Sequence, residues 1–167
     1  VGTVGTLLVS LALAVALCLN AAACSDAMGE ARALEDEGDL DGAVALYEEL
    51  LRTEPESIEA LSAAAVDLLI LGRFDEALPL QERVVALDVS DVQTRIDLGF
   101  NYLNHQGRPA DAVRVLGEAA SLDPSAKNLC FFAQAQMVSG DPVAAEETMR
   151  RAIATDPGYG RSYDLLA

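Results

Sequence analysis

The chain repeats itself every 34 residues, and that period limits its fold more than any single motif does. Ala31, Ala65, Gly99 and Ala133 stand 34 residues apart, and all four are small. Gly38, Gly72, Gly107 and Gly140 form a second set, and each is followed five residues later by an alanine: Ala43, Ala77, Ala112 and Ala145. Pro55, Pro124 and Pro157 form a third set, with Val89 filling the missing place. The words GDLDGA, GRFDEA, GRPADA and GDPVAA are the same punctuation written four times.

Each period divides in two, with an apolar helical stretch before the glycine and a second one after it. Glycine permits the tight turn between them. Asp39, Asp41, Asp75 and Asp141 are placed to cap the second helix, and Pro142 suits a first helical position. The repeat prolines cannot continue a helix and so close each unit. Composition agrees: alanine supplies much of the 51% apolar content, and aromatics are only 5%. A lone antiparallel helix pair cannot bury its apolar face, whereas stacked pairs can. The expected fold is therefore all-α, an α-solenoid of helix-turn-helix repeats.

The small-Gly-Ala-Pro spacing resembles that of the tetratricopeptide repeat family over residues 24–159. The units fall at 24–57, 58–91, 92–125 and 126–159. The third carries one extra residue at its turn. In the first, Ala27 and Glu30 stand where the family has bulky residues, which predicts a frayed first helix. Arg95 replaces a bulky residue in the third. Residues 160–167 read as the start of a capping or further repeat helix, with Tyr163 and Leu166 in register.

An apolar segment precedes the repeats. Residues 1–25 carry no charge, and the densest apolar part runs from Leu7 to Leu19, the length of a signal-peptide core and short for a membrane span. Ala21-Ala22-Ala23 followed by Cys24 resembles the lipobox of bacterial lipoproteins. That resemblance implies a signal peptide over 1–23 and a mature N-terminus at Cys24, which would carry the lipid. Ala21 stands where that family prefers leucine, and no basic residue precedes the apolar run. Ordinary cleavage after the alanines, giving a secreted or periplasmic protein, and retention as a single-pass anchor are the alternatives. All three place the repeats outside the cytoplasm or at a membrane.

The formal net charge of −16 lies wholly from Asp26 onward. A chain this acidic lacks the clustered Lys and Arg that nucleic acid requires, and it disfavours flat adhesion to anionic lipid. Candidate chemistry is sparse. His105 is the one histidine, beside a turn, and reads as a solvated polar residue. Cys18 would be lost on cleavage, which leaves Cys130 as a small hydrophobe on a helix. The acidic run EDEGDLD at 35–41 lacks calcium-loop spacing and reads as a solvated face with helix caps. No catalytic, cofactor-binding or metal-ligating set is expected, and the chain reads as non-enzymatic.

In the family, the first helix of each repeat lines a concave groove that holds a peptide or helix. Carried onto this chain, that pattern gives Val66, Leu69 and Ile70 in the second unit. It gives Ile96, Phe100, Leu103 and Asn104 in the third, and Lys127, Phe131, Gln134 and Met137 in the fourth. Such a surface suits an amphipathic helix or an extended apolar segment of a partner protein. The competing reading packs some of these residues inside the solenoid. The family's clamp for a C-terminal carboxylate needs Lys, Asn and Arg at positions held here by Met28, Arg32, Ser62, Ala63, Val66, Gln93, Ile96 and Asp97. Arg32 alone is cationic there, so that clamp is not expected. The reading that results is an adaptor held outside the cytoplasm by a lipid. The alternative is an anchored or secreted accessory domain of a larger protein or enzyme.

Overall fold

The computed structural model describes residues 26–159. The expected signal segment, Cys24 and the helix start at 160–167 lie outside the described residues. Eight helices follow one another within them: α1 (26–37), α2 (Leu40–Thr53), α3 (Ile58–Ile70), α4 (Phe74–Leu87), α5 (Val92–Asn104), α6 (Pro109–Leu122), α7 (Ala126–Val138) and α8 (Pro142–Thr155). No described residue lies in a strand. Two helices fall in each 34-residue period. The chain divides into two compact units, one ending at Asp67 and the other beginning at Leu68, so α3 spans the boundary.

The repeated glycines set the hairpins. Gly38, Gly72, Gly107 and Gly140 all take positive φ, between 60° and 90°. There a side chain would be strained, and the left-handed turn lets the chain reverse after one residue. Beyond three of them the next amide reaches back to the helix it leaves, as in Asp39 N to Leu34 O at 2.8 Å, Arg73 N to Leu68 O at 2.8 Å and Asp141 N to Gln136 O at 2.9 Å. The third turn, with its extra residue, closes differently: Arg108 N bonds Tyr102 O at 2.9 Å.

Asp39 and Asp141 cap their helices, accepting from Gly42 N and Ala144 N at 3.0 Å each. Asp41 and Asp75 do not cap. They lie in the first turns of α2 and α4, favourably placed toward the helix dipole, and Asp75 accepts from Gln106 Nε2 at 2.8 Å. Pro142 and Pro109 occupy first helical positions. Pro55, Pro124 and Pro157 each follow a helix end by two residues, as their missing N–H requires.

In the N-terminal unit, Ala31 of α1 is fully buried, together with Ala43, Tyr47, Ala60, Leu61 and Ala64. Helix α1 is formed despite Ala27 and Glu30, contrary to the frayed helix predicted. Arg32 pairs with Glu59 of α3, and Tyr47 of α2 holds Glu35, so partners on two other helices replace the missing bulky residues.

In the C-terminal unit, Ile96, Leu98, Tyr102, Val115, Leu116 and Phe131 form one core cluster. Leu129, Cys130, Ala133, Met149 and Ala152 form a second. The small repeat positions are where helices touch: a Cβ at Gly99 would lie 2.7 Å from Leu116 Cδ2, so α5 meets α6 there without room for a methyl group.

Candidate partner-binding face

The first helices of the last two repeats, α5 and α7, lie beside one another in the C-terminal unit. Phe100 and Phe131 meet edge to face across them, ring centroids 4.9 Å apart at 82°. The arrangement is the favoured one for two aromatic quadrupoles. Lys127 is one turn before Phe131 on α7, and its Nζ stands 5.6 Å from the Phe131 ring centroid. On α5, Gln93 Nε2 donates to Asp97 Oδ1 at 3.0 Å. Burial raises the Asp97 carboxyl above its ordinary range, against the lowering effects of Gln93 and Lys127.

The groove residues named from the sequence separate into three groups. Ile96 and Phe131 are only 6% and 9% exposed and belong to the core cluster, so they support the face more than they line it. Phe100 and Leu103 are half-buried and pack against that same cluster. Asn104, Lys127 and Met137 are exposed and Gln134 is half-buried, so α5 and α7 present amides, a cation and a thioether to solvent. On α3, Ile70 is exposed and Leu69 half-buried, whereas Val66, also exposed, belongs to the N-terminal unit. The periodicity placed all these residues on first helices. It could not show which ones the neighbouring helix covers.

Three features differ from the sequence reading. Glu35, in the acidic run taken for a solvated face, accepts from Tyr47 Oη at 2.5 Å. His105 is not merely solvated: its ring stacks on Phe74, and it caps the end of α5. Arg95 is buried and used as a brace. Its Nη1 donates to Asp91 O at 2.7 Å and Asp88 O at 3.2 Å, and its Nε lies 3.4 Å from Glu118 Oε2. Arginine at a position the repeat reserves for a bulky apolar residue was the signal for that role. Cys130 is buried on α7 with its Sγ 3.6 Å from Met149 Sδ, as a small core residue.

Beside Arg95 lies an open cleft of about 650 Å³. Val89, Val113, Leu122 and Phe132 line it, with Arg114 and Glu118 at its polar side. Gly117 forms its floor, where a Cβ would crowd the Phe132 ring at 3.1 Å. That mid-helix glycine was its only trace in the sequence. The charges at its rim are already engaged, Arg114 Nη1 donating to Glu118 Oε1 at 3.1 Å. Among the described residues no three or more His, Cys, Asp or Glu side chains are grouped to hold a metal ion. None of the described helices is long and apolar enough to cross a membrane.

Two family models, both described as tetratricopeptide repeat, match residues 28–91 and 103–167. The chain belongs to the tetratricopeptide repeat family. Tetratricopeptide repeat protein 8 of Caenorhabditis elegans is 26% identical over 136 residues, which cover 80% of this chain and 27% of that protein. The chain thus spans about a quarter of the length of that curated relative. A crystal structure of MamA protein superposes with a TM-score of 0.77 at 22% identity, covering 86% of this chain and 78% of that one. The 41-end segment of MamA from Desulfovibrio magneticus RS-1 gives 0.69 at 22% identity, over 82% and 77%. At that identity the likeness speaks for the fold alone, and the fold is an all-α solenoid of tetratricopeptide repeats.

Proposed function

We propose that this tetratricopeptide repeat chain is a non-enzymatic scaffold that holds a partner peptide or helix on its α5–α7 face. The observation that carries the reading is the Phe100–Phe131 pair, with Phe100 half-buried and Lys127 over the Phe131 ring, on helices that also carry the exposed Asn104 and Met137 and the half-buried Gln134. Rigid aromatic area fixed before binding contributes affinity at little entropic cost, and the polar ring sets register. Phe100→Ala and Lys127→Glu are the informative variants, because both side chains reach the surface. The reading requires each to lower partner capture about tenfold while the protein stays folded. Capture unchanged by both variants in a folded protein would refute it.

We further propose that the scaffold works outside the cytoplasm, tethered to a membrane by a lipid on Cys24. The support is the uncharged run of residues 1–24, ending in three alanines and a cysteine. A tether would concentrate the scaffold at its partner's surface. The intact mass of the protein from its native membrane fraction tests this. A chain beginning at Cys24 with added acyl mass is expected. An unmodified chain would mean a secreted or periplasmic adaptor, and a retained N-terminal segment a single-pass one.

A second reading, an accessory domain of a larger protein or enzyme, draws support from the length of the curated relative, of which this chain spans 27%. The full reading frame decides it.

A further inference from the structure

Three side chains from three helices, two of them buried and one half-buried, meet in the N-terminal unit. Asp67 of α3 is 4% exposed, Tyr47 of α2 is fully buried, and Glu35 stands near the end of α1. Tyr47 Oη donates to Glu35 Oε1, and Glu35 is the carboxyl that bears on Asp67, through its charge and through hydrogen bonding. The other Asp67 oxygen, Oδ2, is buried with no hydrogen-bond partner. Two carboxyls share a hydrogen bond only while one keeps its proton.

The repeat supplies its own controls. Counted from the turn glycines, Tyr47, Gln81 and Leu116 hold equivalent places on α2, α4 and α6; Asp67, Asn101 and Ala135, 34 residues apart and each two after the small residues Ala65, Gly99 and Ala133, hold equivalent places on α3, α5 and α7. The second pair is joined amide to amide, Asn101 Nδ2 to Gln81 Oε1 at 2.9 Å. The third is apolar, Leu116 and Ala135 sharing one core cluster. Of the three, the first alone contains a group that pH can charge. The charged or titratable groups that face it are Glu35 and Arg32 from α1, Tyr47 from α2 and Glu59 from α3. Arg32 is exposed and engaged with Glu59.

We propose that the Glu35–Asp67 pair is a proton-operated latch, holding α1 against α2 and α3 while it keeps its proton and loosening α1 when the proton leaves. Burial first, and the Glu35 charge second, raise the Asp67 carboxyl from 3.8 to about 6. A raised carboxyl makes the docked state bind the proton more tightly than the undocked one. Docking is therefore strongest in acid, weakens as pH rises toward 6, and is flat above it. Once Asp67 is ionised, the two charges repel and Oδ2 has no donor.

Amide hydrogen exchange of the full chain tests the latch. Protection of residues 26–37 should be about tenfold higher at about pH 5 than at about pH 7.5, after correction for intrinsic exchange, while α5 to α8 change little. Asp67→Asn should abolish that difference, since asparagine serves at the equivalent Asn101. Glu35→Gln should shrink it without abolishing it, because the burial of Asp67 remains, and it replaces the first variant if Asp67→Asn fails to dock α1. Equal α1 protection of the wild type at the two pH values would overturn the proposal. So would a carbon-13 titration of the wild-type Asp67 carboxyl with its midpoint in the ordinary carboxylate range.

Discussion

Asn101 Nδ2 lies 2.9 Å from Gln81 Oε1, with both side chains buried between α4 and α5. Asn101 Nδ2 also reaches Phe74 O at 3.1 Å, so one amide ties two parts of α4 to α5. Gln81→Leu strips this amide of a partner and is expected to cost about 1–3 kcal/mol in denaturant unfolding. The double variant Gln81→Leu, Asn101→Ala imitates the Leu116–Ala135 pair found one repeat later. It should recover most of the loss, which a double-mutant cycle would register as a large coupling term. Additive single losses would contradict the reading of this pair as a unit.

Gly99 is small for a spatial reason, because its neighbour is the branched end of Leu116. Gly99→Ala should therefore destabilise by about 1–3 kcal/mol, although alanine is the better helix former. Leu116→Ala opens the room a methyl needs, so in that background Gly99→Ala should cost far less. Thermal unfolding of the four proteins decides the matter. A stabilising Gly99→Ala in the wild-type background would show that α5 and α6 are not in contact at this point.

The capping aspartates separate from the others in the same acidic sequence words. Asp141→Ala removes the acceptor for Ala144 N and should cost about 1 kcal/mol. Asp39→Ala removes the acceptor for Gly42 N and should cost about as much. Chemical denaturation resolves a loss of that size.

Phe100 and Phe131 should separate binding from stability. Phe131 is in the core, so Phe131→Ala is expected to lose about 3–5 kcal/mol and to weaken binding only through the fold. Phe100→Ala should lose less stability and more binding. Melting temperature and partner affinity measured on both variants give the comparison. The opposite ranking would mean that α7, not the open side of Phe100, carries the contact.

The fold was legible because its signals are local. A glycine at positive φ, an aspartate before a helix and a proline after one act within a few residues of themselves. A 34-residue period repeats them until chance is excluded. The face was less legible, because burial is decided by residues from other helices. Ile96 and Phe131 sit at groove positions in the repeat and still disappear beneath their neighbours. Glu35 lies among carboxylates that look solvated, and Tyr47, 12 residues away, holds it half-buried by a hydrogen bond. Arg95 broke the repeat pattern visibly, but nothing nearby in sequence announced that the carbonyls of Asp88 and Asp91 would receive it. Asp41 and Asp75 show the same limit within a single turn, where two residues separate a cap position from a first-turn charge.

Site-specific photo-crosslinking in cells tests the binding face most directly. A benzophenone side chain placed at Phe100 would sample whatever lies on the α5–α7 face, and one placed at the exposed Val143 of α8 would serve as the control. The account predicts a discrete adduct at Phe100 that maps to one peptide or helical segment of a partner, that Lys127→Glu diminishes, and that is missing at Val143. Adducts of equal yield at both positions, or none at Phe100 in a correctly folded protein, would contradict it.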